Sequence, residues 1–192
     1  MIKEEFFPTI FYAKDVKLDN DMLATYFFNL SKQDPGVHKT NVKGWHSKNL
    51  DHSQTEIQPL LKELFDMQKE IYQEEMLDRE PVLGNIWANL NPPGSYNKSH
   101  MHPNSLWSGV YYVKASKNSG KLVCNDPRPG IQIKMPVRKE GTMPQNLWRE
   151  VFIEPQSGRI IMFPSWVWHY VEPNESNDTR ISMSFNFIQA GF

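Results

Sequence analysis

The fold is decided by the stretch Asn89–Val113, whose sequence is NLNPPGSYNKSHMHPNSLWSGVYYV. A Pro-Pro-Gly turn ends one apolar run, and His100 and His102 follow with one residue between them. Because residues i and i+2 of an extended chain point to the same side, the two imidazoles can converge on one point. Imidazole is the commonest protein ligand for a transition metal, and two of them leave room for a third ligand. Taken alone, the pair fits either a metal site or a loop with two solvated histidines.

A second stretch contains a third histidine. The apolar run Arg159–Val171 is followed by a polar turn with Pro and Asn, and Thr179–Ile188 then alternates as a half-buried strand does. The pattern predicts a hairpin in which His169 faces Arg180. Arginine offers a planar fork of donors for a carboxylate, and Ser182 adds a hydroxyl two residues further on. A slip of one residue would turn these side chains to the other face of the sheet.

With these residues in place, the sequence resembles the iron(II)- and 2-oxoglutarate-dependent oxygenases. Within that superfamily it is most similar to a small phage and bacterial group related to the prolyl hydroxylases. The matching segments occur in the family's order between residues 42 and 188, about three quarters of the chain. They are Gly44-Trp45-His46-Ser47, Asn97–Ser105 with its two histidines, Ser108–Val113, Phe163–Trp166 followed by His169, and Arg180-x-Ser182 leading into Ser184-Phe-Asn186.

The resemblance implies iron(II) as the metal, 2-oxoglutarate as the cosubstrate and dioxygen as the oxidant. The resemblance assigns His100 and His169 to the metal, and Arg180, Ser182 and Tyr112 to the cosubstrate. Asn89 and Asn91 lie on the strand before the histidine pair, where they could orient either the cosubstrate or a metal ligand. The family usually supplies a carboxylate two residues after the first histidine, and here that position is His102. The second ligand is therefore His102 itself, Asn104 or a water, and an all-histidine site also suits iron(II).

The implied activity is hydroxylation of an unknown substrate, a peptide prolyl group or a small molecule, with release of succinate and carbon dioxide. One alternative is a cupin-like metal enzyme without 2-oxoglutarate, which leaves Arg180-x-Ser182 unexplained. Another is a non-catalytic jelly-roll binding module, favoured by the missing carboxylate at His102. A buried arginine argues against that module, because an inert scaffold has no need of one.

Composition limits the other function classes. The chain has 192 residues, 21 basic and 22 acidic, and a single cysteine, Cys124. One domain is expected, without a nucleic-acid partner, a membrane partner or an internal disulfide. The acidic N-terminal sequence does not resemble a signal peptide, so we expect a cytoplasmic protein. The expected partner is the substrate, and an edge strand near the N-terminus could support a homodimer.

The predicted fold is mainly β, a double-stranded β-helix (jelly roll) with flanking N-terminal α-helices. Residues 1–80 supply a strand over residues 6–15 and two helices, and residues 81–192 supply the jelly-roll core. The first helix covers Met22–Leu30, and a capping box, Ser53-x-x-Glu56, precedes the second, whose apolar stripe begins at Ile57. The predicted core strands are Val82–Leu90, Ser108–Lys114, Lys121–Asn125, Gln132–Met135, Trp148–Glu154, Arg159–Phe163, His169–Val171 and Arg180–Ile188.

The remaining residues of note fall between or around these strands. The irregular segment Asp126–Leu147 is rich in Pro, Gly and basic residues and suggests a mobile loop over the mouth of the barrel. The alternative is an ordinary surface loop. The expected core or cavity-wall residues are Tyr111, Cys124, Trp166 and Trp168, and the expected surface or loop residues are His38, His46 and His52.

Overall fold

The computed structural model describes residues 1–128, 137 and 139–189, which form two antiparallel β-sheets and two α-helices. The strands are β1 Tyr12–Asp15, β2 Asn41–Val42, β3 Trp45–His46, β4 Val82–Asn91, β5 Tyr96–His100, β6 Trp107–Lys114, β7 Leu122–Asn125, β8 Glu150–Ile153, β9 Arg159–Pro164, β10 His169–Val171 and β11 Arg180–Ile188. The six-stranded sheet has the order β1-β9-β6-β11-β4-β3, and the five-stranded sheet has the order β2-β5-β10-β7-β8.

The central strand β11 separates the hydrophobic core from the cavity. Its odd-numbered residues from Ile181 to Phe187 are buried in the core cluster that also contains the helices. Its even-numbered residues, Arg180 to Asn186, line a cavity on the other side of the sheet. This division follows from the period of two in a β-strand, and β4 repeats it with asparagines and Trp87 toward the cavity.

Two helices cover the outer face of the six-stranded sheet. Helix α1, Asn20–Gln33, begins with Asp19, whose carboxylate accepts the backbone N–H of Met22 at 2.9 Å. Helix α2, Gln58–Glu74, buries the predicted apolar stripe against the sheet. The predicted capping box is wrong, because a turn of 3-10 helix, Thr55–Ile57, precedes α2 and the Ser53 hydroxyl donates to Asp51 instead.

The predicted hairpin between β10 and β11 is also wrong. Strand β10 pairs with β5 and β7 in one sheet, and β11 pairs with β4 and β6 in the other. The segment between them therefore crosses from one sheet to the other. Asn174 anchors this crossing, because its buried amide donates to the backbone oxygens of Asn91 at 2.8 Å and Asp178 at 2.7 Å. His169 and Arg180 consequently approach the cavity from opposite sheets.

Other boundaries differ from those expected. The first strand covers only Tyr12–Asp15 rather than residues 6–15, and it lies at the edge of its sheet as predicted. A homodimer through this edge stays a prediction. Strands β2, β3 and β5 were not predicted, since they are short or rich in polar residues. The predicted strand Gln132–Met135 lies outside the described residues, as does part of the proposed lid, Asp126–Leu147.

Candidate active site

Three histidines meet at one end of the cavity. In the register of β5 and β10, His100 lies directly opposite His169, and His102 follows β5 with its backbone N–H donating to Ser165 O at 3.0 Å. One ring nitrogen from each residue lies within 4.8 Å of the others, which is close enough for the three to hold one metal ion. The ring centroids of His100 and His169 are 4.3 Å apart, and His169 is only 4% exposed.

The surroundings keep the imidazoles neutral. Burial, together with the nearby His100, lowers the pKa of His169 to about 3. Burial likewise lowers the pKa of His102 to about 4, and that of His100 falls for the same reason. The Nδ1 atoms of His100 and His169 lie 2.7 Å from Lys98 O and 2.9 Å from Val167 O. Neutral rings that donate through Nδ1 leave Nε2 free to bind a metal.

Arg180 lies in the same cavity and is 2% exposed. Its Nη1 donates to Ser119 O at 2.7 Å and to Gly120 O at 2.8 Å. Among the residues that the structure describes, no carboxylate pairs with this guanidinium, and burial lowers its pKa. A buried cation without an anion is costly, so the site suits an anionic ligand.

Three further side chains surround Arg180 as the strand register requires. Tyr112 lies opposite Ser182 in the pairing of β6 with β11, and Asn91 lies opposite Arg180 in the pairing of β4 with β11. Burial raises the pKa of Tyr112 to about 12, and the charge of Arg180 opposes that rise. The phenol is therefore protonated and able to donate a hydrogen bond at neutral pH. The Oδ1 atom of Asn91 is buried without a hydrogen-bond partner in the described structure.

The cavity has a volume of about 670 Å³, within the range of pockets that bind small molecules. His46 was expected at the surface, and this expectation is wrong. Its ring lines the cavity and stacks on Trp87 with the centroids 5.4 Å apart and the planes at 5°. A histidine in a two-residue strand carries no local signal of burial, so the sequence could not identify it. His38 and His52 are exposed as expected.

The tryptophans before His169 differ from the expectation as well. Trp166 is 52% exposed and Trp168 is 48% exposed, so neither belongs to the core. Because side chains alternate along an extended chain, the inward position of His169 turns its neighbour Trp168 outward. Tyr111 and Cys124 are buried as predicted, and the Tyr111 hydroxyl donates to Asn20 at 2.6 Å. Asn104, the alternative ligand in sequence, has a left-handed backbone with φ of 63°.

The donor set fits the cofactors that the sequence implies. Three neutral imidazoles are suitable ligands for iron(II), since nitrogen ligands bind first-row transition metals well. Arg180, Ser182 and Tyr112 offer a cation and two hydroxyl groups to a carboxylate in the same cavity. A single ligand with a metal-chelating group at one end and a carboxylate at the other would contact both a metal on the histidines and Arg180. 2-Oxoglutarate is a molecule of this kind.

The fold of this chain is similar to that of several solved structures. A prolyl-4-hydroxylase from Pseudomonas putida is 18% identical, with 95% of this chain and 94% of that chain covered at a TM-score of 0.66. A Trichoplax adhaerens prolyl hydroxylase, solved with a hypoxia inducible factor peptide, is 14% identical, with coverage of 93% and 83% and a TM-score of 0.65. HygX from Streptomyces hygroscopicus, solved with nickel and 2-oxoglutarate, is 12% identical, with coverage of 96% and 84% and a TM-score of 0.59. These likenesses confirm the predicted jelly-roll fold.

A family model described as 2OG-Fe(II) oxygenase matches residues 85–186, just over half of the chain. The fold and the histidine cluster thus define an oxygenase of the double-stranded β-helix class. More particularly, the chain belongs to this 2OG-Fe(II) oxygenase family, as the sequence motifs predicted, and iron and 2-oxoglutarate are the cofactors of that family. No curated protein matches the sequence. No helix in the described part of the chain has the length and apolar character needed to cross a membrane.

Proposed function

We propose that this protein is an iron(II)- and 2-oxoglutarate-dependent dioxygenase that hydroxylates its substrate and releases succinate and carbon dioxide. The observation that carries the proposal is the presence, in one cavity, of a three-histidine cluster and a buried arginine without a carboxylate partner among the described residues. A cupin-like enzyme without 2-oxoglutarate would need the histidines but would have no use for Arg180.

We assign the metal ligands to His100, His102 and His169. The first and third present Nε2, because their Nδ1 atoms donate to backbone carbonyls. Such bonds orient the imidazole and increase its basicity toward a metal. His102 occupies the position at which the family usually has a carboxylate, and its ring centroid lies 5.0 Å from that of His100. It therefore takes the second ligand position in preference to Asn104 or water.

We assign the far carboxylate of 2-oxoglutarate to Arg180, with hydroxyl donors from Ser182 and Tyr112. Charge-assisted hydrogen bonds from a guanidinium are about twice as strong as neutral ones, so Arg180 provides most of the affinity. Asn91 lies beside Arg180 across the strand pair, where its side-chain amide can orient the guanidinium or the cosubstrate.

When bound, iron(II) with 2-oxoglutarate and dioxygen supplies the oxidation, in which the cosubstrate becomes succinate and carbon dioxide and one oxygen atom enters a substrate C–H bond. The protein contributes position and a dry environment. Val110, Leu122 and Phe163 line the cavity, and the Phe163 ring contacts His169 with the centroids 4.9 Å apart. These apolar side chains keep water away from the histidines and so strengthen the electrostatic contacts of the bound groups.

The substrate is either a small molecule or a peptide side chain. The similar structures include prolyl hydroxylases, one of them with a bound peptide, which makes a peptide prolyl group one candidate. Sequence identity to them is below 20%, and function depends on the groups around the site rather than on the fold. The reaction class is therefore proposed here without a particular substrate.

The test is binding and turnover on protein loaded anaerobically with iron(II). Added 2-oxoglutarate should produce the metal-to-ligand charge-transfer absorption band, and air should then produce succinate. His169→Ala, His102→Ala and Arg180→Ala should each abolish or strongly weaken the band. A band that persists only in His102→Ala would move the second ligand to Asn104 or water. Metal binding without any 2-oxoglutarate band would favour the cupin-like enzyme, and no metal binding would favour a non-catalytic module.

A further inference from the structure

The cavity extends well beyond the Arg180 end, along the paired strands β4 and β11. The register places Arg180 opposite Asn91 at one end and Asn186 opposite Asn85 at the other. Six residues of extended strand cover about 20 Å, so these ends are far apart. A cosubstrate held between Arg180 and the three histidines cannot also fill the outer end. The outer part, next to Asn85 and Asn186, is open to a second molecule.

Ring stacking and hydrogen bonds fix one wall of this outer part. His46 lies opposite Asn89 in the pairing of β3 with β4 and stacks on Trp87, whose own ring centroid lies 5.8 Å from that of His102. The Nδ1 atom of His46 is 2.7 Å from Ser47 O, and the Ser47 hydroxyl accepts the backbone N–H of Ala88 at 2.9 Å. The stacked pair is thus held next to the three histidines, where a substrate must lie to react.

The charges around the cavity have one sign. The cavity-lining residues that the structure describes include Lys39, Lys48 and Arg180 but no Asp or Glu. Lys48 pairs with Asp34 at 2.9 Å, whereas Lys39 makes no ion pair within the described part of the chain. Lys39 therefore adds a second unpaired positive charge to the cavity lining, and this charge contributes to lowering the pKa of His46.

The ligand set adds to this excess of positive charge. Three neutral imidazoles leave both charges of a divalent metal uncancelled, whereas a carboxylate in the place of His102 would cancel one of them. Arg180 contributes one further positive charge, and 2-oxoglutarate brings two negative charges. One positive charge then remains in a mostly buried cavity, which is unfavourable unless another anion approaches.

We propose that the outer part of the cavity, between the His46–Trp87 stack and Lys39, binds a substrate that carries a carboxylate. The substrate anion lies toward Lys39 and the metal, and Asn85 and Asn186 line the part of the cavity that the rest of the substrate fills. This inference rests on the proposed function and specifies the chemical class of the substrate. A cationic substrate is disfavoured, because no acidic side chain lines the described part of the cavity.

The test uses matched pairs of N-acetyl amino acids and their C-terminal amides, which differ in charge but hardly in shape. Each is titrated anaerobically into the protein loaded with iron(II) and 2-oxoglutarate, and the shift of the charge-transfer band gives its affinity. We expect at least one acid to bind about tenfold more tightly than its amide, the effect of one favourable charge contact near a protein surface. Added salt should reduce this preference.

Three variants test which positive charges cause the preference for the acid. Lys39→Gln should weaken binding of the acid several-fold and leave the affinity for 2-oxoglutarate unchanged. Lys117→Gln is the matched control, since Lys117 is exposed and does not line the cavity. His102→Asp places a carboxylate beside the metal, which cancels one positive charge, so it should reduce the preference for the acid over the amide.

The outcomes separate this inference from the function on which it rests. If iron(II)-loaded wild-type protein forms no charge-transfer band with 2-oxoglutarate, the proposed function is overturned, and the inference with it. A normal band with equal affinity for acids and amides, or with no response to any pair, would overturn the inference alone. An acid preference that is the same in Lys39→Gln and Lys117→Gln would show that the anion does not lie near Lys39 and would also overturn it.

Discussion

The substitution Arg180→Met replaces the buried guanidinium by an apolar side chain of similar length. In the folded protein Nη1 donates to Ser119 O and Gly120 O at 2.7 and 2.8 Å, and no described carboxylate neutralises the charge. The change therefore removes the proposed partner of the cosubstrate carboxylate. The three histidines lie on other segments of the chain, and their backbone hydrogen bonds do not involve Arg180.

The two expected effects have different sizes. A hydrogen bond to a charged group contributes about 1.5–3 kcal/mol, so the Kd of 2-oxoglutarate should rise roughly 10- to 150-fold. Stability should change little, because relief from burying an unpaired charge offsets the loss of two hydrogen bonds to carbonyl oxygens. We expect the free energy of unfolding of the metal-free protein to stay within about 2 kcal/mol of wild type.

The assay compares 2-oxoglutarate with 2-oxopentanoate, which has the same number of carbons but no second carboxylate. Both are titrated anaerobically into iron(II)-loaded wild type and Arg180→Met, and urea denaturation gives the stability. The variant should lose affinity for 2-oxoglutarate only, so that the two ligands become similar. Arg159→Met is the control, since Arg159 pairs with Asp15 at 2.7 Å near the surface and should not affect either ligand.

Two results would refute this reasoning. If both ligands lose affinity equally, Arg180 does not recognise the second carboxylate. The second result is normal binding of 2-oxoglutarate with a free energy of unfolding more than about 3 kcal/mol below that of wild type. In that case Arg180 is a structural residue that holds the β6–β7 turn through the carbonyl oxygens of Ser119 and Gly120.

Three further predictions concern pH and the loops around the site. The unfolded chain takes up a proton at His169 near pH 6.5 and the folded chain near pH 3, so metal-free protein should lose stability as the pH falls through this window. This one group contributes up to about 1.4 kcal/mol per pH unit, and urea denaturation of His169→Phe should show a shallower slope. Gly120→Ala should destabilise by about 1–3 kcal/mol, because φ is +92° and a Cβ would overlap the backbone oxygen of Glu172. It should also weaken 2-oxoglutarate binding, because the same Cβ would lie 2.9 Å from Nη1 of the buried Arg180. Asn174→Ala should cost about 1–3 kcal/mol in urea denaturation, since it leaves the Asn91 carbonyl oxygen without its donor.

Each of these has an outcome that would count against it. Equal pH slopes for wild type and His169→Phe would mean that the histidine is not neutral in the folded state. Gly141→Ala is the control for Gly120, because its φ is also positive but no atom of the described residues lies within 4 Å of an added Cβ. Equal loss of 2-oxoglutarate affinity in both glycine variants would contradict the proposed clash. Wild-type stability of Asn174→Ala would mean that the crossing segment does not depend on its amide.

Part of the site could be predicted from local sequence alone. The spacing of His100 and His102 indicated that both side chains point to one side, and the alternation of β11 indicated that Arg180 and Ser182 share a face opposite the core. The apolar stripe of α2 likewise predicted its packing against the sheet. These predictions depend only on the periodicity of a strand or a helix, which is the same whichever segment packs against it.

The remaining features depended on partners distant in the chain. Sequence analysis paired His169 with Arg180 in a hairpin, because a polar turn joins their strands, yet the two strands belong to different sheets. His46 was expected at the surface, since a two-residue strand has no periodicity to show that Trp87 lies beside it.

The sequence by itself determined which histidines and which arginine are candidates for the site, and which side chains share a strand face. Only the tertiary structure decided which strands are neighbours, and hence that the histidine cluster and the arginine face each other across one cavity. The physical reason is that backbone hydrogen bonds are the same for every pair of strands. The choice of partner therefore depends on burying the whole set of apolar faces at once, which no single segment encodes.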